Sequence, residues 1–177
     1  MTMIIVPQAT LPISLWPNGA GRKADIAHGQ GWLAAFAWLD GDAPFSDYAG
    51  MDRTLTLIDG AGFELRFQDA ATMQIAWRCP ASFDGGAALT CHLPHGPCRV
   101  LNVMTRRDTW RHDVQIGAVA GTDAEVTIIV ALDETGWLEV RGSKAVLGRW
   151  DACVVEGPQD VRGDGVFATL RIRPVAS

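Results

Sequence analysis

Two alternating runs on either side of a glycine-rich break constrain this chain more than any other stretch. Residues 42–67 read DAPFSDYAGMDRTLTLIDGAGFELRF. A polar, turn-rich loop (Asp42, Pro44, Ser46, Asp47, Gly50) leads into Arg53-Thr54-Leu55-Thr56-Leu57. The pattern breaks at Asp59-Gly60-Ala61-Gly62 and resumes as Phe63-Glu64-Leu65-Arg66-Phe67. Period-2 alternation around such a break predicts a β-hairpin. Side chains two apart share a face of a strand, so Arg53 is in phase with Leu55 and Leu57. A guanidinium on the core-facing side of a strand needs an anionic or acceptor partner. Two readings stay open here: a strand-end arginine reaching water or pairing with Asp52 or Asp47, or an arginine waiting for a ligand.

The same alternation recurs along the chain. Residues 3–15 predict one or two short edge strands cut by Pro7 and Pro12. Trp32 to Leu39 is apolar in both phases, and its aromatic content and flanking glycines predict a covered strand, with Trp32, Phe36 and Trp38 in the core. Further strands are expected at Ala71–Trp77, Val100–Arg107, Val126–Leu132, Trp137–Val140, Ala152–Gly157 and Phe167–Arg173, with a loop at Cys79–Gly86. Asp108 to Gln115 predicts at most a short turn. The pattern of Leu55–Phe67 recurs loosely at Ile128–Val140, as a duplicated half would produce. Many short strands with regular turns predict an all-β sandwich or barrel.

In the Val100–Arg107 strand, Val100, Asn102, Met104 and Arg106 share one face. A buried asparagine without partners costs on the order of 1–3 kcal/mol, so Asn102 should tie down backbone or hold a ligand. Trp16-Pro17-Asn18-Gly19-Ala20-Gly21 is turn chemistry followed by the basic pair Arg22-Lys23. Its glycines could turn backbone N–H groups toward an anion, but on the residues alone a plain turn with a solvated basic pair is the first reading.

These three stretches, WPNGAGRKADI at 16–26, the 42–67 segment and LNVMTRR at 101–107, together resemble the HutD/Ves family. The resemblance implies a cupin-like jelly roll of two barrel halves in one compact unit, with possible halves at about 1–107 and 108–177 within a single 1–177 unit. HutD proteins are encoded with histidine-utilisation genes. The resemblance therefore implies a small carboxylate metabolite as partner, such as N-formylglutamate or urocanate, and a role in sensing or limiting flux. Arg53 would hold the carboxylate and Asn102 read an amide or formyl oxygen. Asn18, Phe45 and Ser46 would sit at the mouth, with Arg22 and Arg106 as further basic candidates. Two departures stand out: Val100 occupies a place where relatives carry an acid, and Arg22-Lys23-Ala24-Asp25-Ile26 replaces a segment that commonly holds a threonine and a glutamate.

Composition limits the partners. The net charge of −5 argues against nucleic acid and anionic membranes. No apolar run of about 18 residues predicts a membrane span, and no signal peptide is expected at the N-terminus. Four cysteines without CxxC spacing read as reduced thiols, so a cytoplasmic protein, with a homodimer allowed for, is the expectation. Many cupins hold a metal through an HxH motif with a downstream glutamate. His28, His92, His95 and His112 show no such spacing, so no metal and no cofactor are expected. No G-x-S-x-G motif is present. A binding protein without catalytic residues is the first reading, and an isomerase or hydrolase acting on small carboxylates is the alternative.

Overall fold

A computed structural model describes residues 3–176. The chain divides into two compact units. One holds the chain up to Leu11 and from Thr109 onward; the other is Pro12–Asp108. The boundary therefore differs from a single cut near residue 107, because the first strand joins the unit built from the C-terminal third. Apart from a three-residue 3-10 turn at Gln8–Thr10, the regular elements of the described residues are strands.

The Pro12–Asp108 unit contains ten strands, numbered here in chain order after β1 (Met3–Val6). They are β2 (Ser14–Leu15), β3 (Arg22–Gly29), β4 (Trp32–Leu39), β5 (Ala43–Pro44), β6 (Met51–Asp59), β7 (Phe63–Phe67), β8 (Thr72–Ile75), β9 (Ala81–Asp84), β10 (Leu89–His92) and β11 (Cys98–Arg106). They form a six-stranded sheet in the order β2-β3-β4-β11-β6-β9 and a four-stranded sheet in the order β5-β10-β7-β8.

The two alternating runs of residues 42–67 are thus not a hairpin. β6 pairs with β11 and β9, whereas β7 pairs with β8 and β10. The glycine break carries the chain from one sheet to the other. Gly60 and Gly62 have φ of 108° and 102°, a region that side chains rarely adopt. A Cβ on Gly60 would also lie 2.7 Å from Cys98 Sγ. Leu55, Leu57 and Val100 from the larger sheet meet Phe63, Leu65, Ile75 and Cys91 from the smaller one in a single apolar core. Each fully buried leucine or phenylalanine there contributes roughly 1.5–3 kcal/mol.

The other unit combines β1 with β12 (Trp110–Gly117), β13 (Val126–Ala131), β14 (Thr135–Val140), β15 (Ser143–Gly148), β16 (Ala152–Glu156), β17 (Val161–Asp164) and β18 (Phe167–Pro174). Its sheets run β1-β16-β13-β18-β12 and β15-β14-β17. The step from β13 to β14 again passes between sheets, matching the β6-to-β7 step and giving topological content to the loose repeat seen in sequence. Ile129, Cys153, Val155 and Phe167 pack there against Leu138, Val140 and Leu147.

Several local expectations change. Residues 110–117 form a full strand rather than a turn, because Trp110 to Gly117 pairs along its length with β18. β9 lies inside the segment read as loop, and β15 and β17 lack a clear alternating signal. Phe36 is fully buried, but Trp32 and Trp38 are only partly so, and Trp16 is the tryptophan that reaches the core. Trp38 instead lies beneath the guanidinium groups of Arg22 and Arg99, at 5.7 and 5.0 Å. Among the described residues, no helix is long and apolar enough to cross a membrane.

Candidate functional site

The larger sheet of the Pro12–Asp108 unit presents one face in which small and polar side chains replace the core leucines. Alternation decides which residues share it. β11 places Asn102 and Met104 beside Val100; β6 places Arg53 beside Leu55; β4 contributes Leu33, Ala35 and Ala37; β3 contributes Lys23. The ladder aligns Met104 with Leu33 and Arg53, and Asn102 with Ala35 and Leu55. With Trp16, Ser46 and Tyr48 from the loops, these residues line a narrow cleft, open at its mouth, whose interior space is about 20 Å³, room for about one water molecule. The two alanines form its floor, and larger residues there would fill it.

Arg53 is 6% exposed. Its Nε donates to Asn102 Oδ1 at 2.8 Å. The guanidinium carbon lies 4.6 Å from the ring centre of Phe45, 5.6 Å from that of Phe83 and 5.7 Å from that of Tyr48. Cation–π attraction offsets part of the desolvation cost, because the ring faces carry negative potential. No carboxylate pairs with Arg53 among the described residues. Asp52, the sequence neighbour that could have done so, accepts instead from Arg107 Nε at 2.7 Å, and Arg107 also reaches Asp84 at 3.2 Å. Burial without an acid pushes the Arg53 pKa down to about 10, so the group stays charged at neutral pH. The purely structural readings of Arg53, a solvated strand end or a partner of Asp52, do not describe its surroundings.

Ser46 Oγ is buried on the cleft wall and makes no hydrogen bond among the described residues. Lys23 Nζ donates to both oxygens of Asp25, at 2.6 and 2.9 Å.

The other candidates lie elsewhere. Asn18 is exposed; its Nδ2 donates to the Pro44 carbonyl and its Oδ1 accepts from the Ala20 N–H, so it staples a turn rather than closing a mouth. Arg22 leaves the cleft because its two prongs engage Asp40 on the surface. Arg106 shares the phase of Asn102 but ends β11 in an exposed position. Phe45 does not line the cleft; it stacks on Arg53 and contacts Trp16 edge-on at 5.4 Å. Conversely, Tyr48, Phe83 and the alanine floor carry no sequence signal beyond their residue types. Their contribution follows from strand pairing that alternation does not encode.

Chemistry outside the cleft is muted. Burial pushes the Cys91 and Cys153 thiols up to about 11 and raises that of Cys98, the opposite of nucleophile activation. His92 closes β10 and pairs through Nδ1 with Asp42 at 2.6 Å. Among the described residues, no three His, Cys, Asp or Glu side chains gather as a metal site.

The all-β architecture of paired sheets is a cupin-type fold, as its likeness to a solved structure shows. The fold resembles a cupin 2 conserved barrel domain protein from Leptotrichia buccalis, with a TM-score of 0.62 and 10% identity over 93% of this chain and 89% of that one. It matches HutD from Pseudomonas fluorescens SBW25 with a TM-score of 0.87 and 22% identity, covering 99% and 100% of the two chains. The HutD family model matches residues 8–169, and the chain belongs to the HutD family. Protein Ves of Citrobacter koseri is 31% identical over 113 residues, which are 60% of this chain and 59% of Ves. The chain thus spans less than two thirds of that relative's length.

Proposed function

We propose that the Arg53–Asn102 cleft binds a small carboxylate-bearing metabolite and that the protein acts as a metal-independent binding cupin rather than as a catalyst. The observation that carries this reading is a buried, charged arginine with an asparagine acceptor, aromatic walls and no acid of its own. A buried cation left unpaired is costly, and an incoming carboxylate matching the guanidinium fork removes that cost. Membership of the HutD family supports histidine-degradation intermediates, such as N-formylglutamate or urocanate, as the first ligands to try and flux sensing as the role.

Thermal-shift titration against such intermediates tests this directly. Saturable stabilisation by one of them, abolished in Arg53→Ala, is the expected result. Turnover of that compound in a product assay would replace the binding role with an isomerase or hydrolase, and no Arg53-dependent shift from any of them would remove the carboxylate site.

A further inference from the structure

Lys23 and Arg53 stand at opposite sides of the cleft. The strand order β3-β4-β11-β6 separates their backbones by three strand steps, and the register sets Lys23 level with Leu57, four residues along β6 from Arg53. The two backbones are therefore roughly 20 Å apart, and only the long side chains approach each other. Between them lie Ala35, Ala37 and Asn102, so both long side chains border the same floor.

The two cations are not equivalent. Lys23 is already neutralised by Asp25, which takes hydrogen bonds from its ammonium on both carboxylate oxygens. Among the described residues, Arg53 has only the neutral Asn102 oxygen as a hydrogen-bond partner. One unbalanced positive charge therefore faces the cleft, and it sits at the Arg53 end. An ammonium carries three N–H donors. Asp25 engages two of them, which leaves one for an acceptor in the cleft. Ser46 Oγ, buried and without a partner on the same wall, is a second uncharged group able to donate or accept.

From this arrangement we infer that the cleft selects a monoanion: a short chain with one carboxylate at Arg53 and an uncharged hydrogen-bond acceptor, such as an amide carbonyl, at Lys23. A dicarboxylate of equal length would bring its second charge up to Asp25 as well as Lys23, where repulsion cancels much of the attraction. This selectivity rests on Arg53 being the carboxylate anchor, and Asp25 acts as the positioning residue that sets it; of the two intermediates named above it favours urocanate, with one carboxylate, over N-formylglutamate, with two.

Glutaric acid monoamide and glutarate, equal in length and differing by one charge, separate the alternatives by calorimetric titration. The wild-type protein should bind the monoamide about tenfold more tightly than glutarate. Asp25→Asn, which keeps the shape but frees the Lys23 charge, should reverse that preference. Arg53→Ala should lose both compounds. Lys23→Met combined with Asp25→Ala, which removes the pair without leaving an unpaired carboxylate, should weaken the monoamide about tenfold relative to butyrate, since butyrate has no distal acceptor. Glutarate binding as tightly as the monoamide to wild type, with Arg53→Ala still abolishing both, would overturn the selectivity and leave the anchor standing. An unchanged preference in Asp25→Asn, or an unchanged monoamide-to-butyrate affinity ratio in the Lys23→Met, Asp25→Ala double variant, would overturn it too. Neither probe binding the wild type, or binding that ignores Arg53→Ala, would remove the anchor and this inference with it.

Discussion

Arg53 Nε donates to Asn102 Oδ1 at 2.8 Å across the β6–β11 ladder, joining two residues 49 positions apart on one sheet face. The hydrogen bond holds the guanidinium by one edge and fixes its plane against the rings of Phe45 and Phe83. It also gives the buried asparagine oxygen a partner, so neither residue is independent of the other.

Arg53→Ala should weaken binding of a carboxylate ligand by about 2–5 kcal/mol, the usual loss when one partner of a buried charged contact is removed. Arg53→Lys should also bind poorly, because an ammonium lacks the two-pronged fork. Isothermal titration of both variants measures this. Full affinity in the lysine form would show that charge alone suffices.

Stability should move the other way when the polar pair is replaced together. A buried cation without a carboxylate is retained at an energetic cost, so Arg53→Met combined with Asn102→Leu should stabilise the free protein by about 1–4 kcal/mol. Asn102→Leu alone should destabilise, since it strips Arg53 of its acceptor. Urea denaturation of the single and double variants decides the point, and a double variant weaker than wild type would make the pair a net stabilising contact.

Affinity should be flat with pH through neutrality. Burial lowers the Arg53 pKa to about 10, so the native protein releases this proton at a pH where the unfolded chain still holds it. The charged form prevails below that point, its burial cost is constant there, and stability from this group rises only as pH climbs beyond about 10. Carboxylate affinity should therefore be level from about pH 6 to about pH 9 and fall as pH passes the Arg53 pKa. A steep loss between about pH 6 and about pH 7 would assign the anion to a histidine instead.

The alanine floor sets the depth of the cleft. Ala35 is 1% exposed and lines it directly. Ala35→Leu should fill that space and reduce ligand affinity at least about tenfold, while the overpacked fold loses about 1–3 kcal/mol. Titration alongside thermal melting separates the two effects.

Gly21 tests the rim. A Cβ at this position would lie 2.5 Å from the Trp16 indole, whose Nε1 donates to the Arg22 carbonyl at 2.9 Å. Gly21→Ala should displace Trp16, cost about 1–3 kcal/mol and weaken binding, because Trp16 lines the cleft. Unchanged tryptophan fluorescence and stability would show that the indole has room to move.

The sequence by itself determined the all-β class and the phase of the key residues. Arg53 travels with Leu55 and Leu57, and Asn102 with Val100 and Met104, because neighbouring side chains on a strand must alternate between its faces. Which strands meet lay beyond that local rule. Alternation broken at Gly60–Gly62 looks alike for a hairpin and for a crossing between sheets, and only the pairing of β6 with β11 and of β7 with β10 decided for the crossing. Of two ion pairs, one followed from the same long-range choice and one was local. Asp52, adjacent to Arg53 in the chain, points to the opposite face and meets Arg107 there, while Lys23 and Asp25, two apart on β3, share an ion pair and Lys23 reaches the cleft. Asn18, a binding candidate in sequence, became a turn staple because the Pro44 carbonyl was brought within 2.9 Å of it. Period fixes a side chain's face locally, but its partner is chosen by strands distant in sequence.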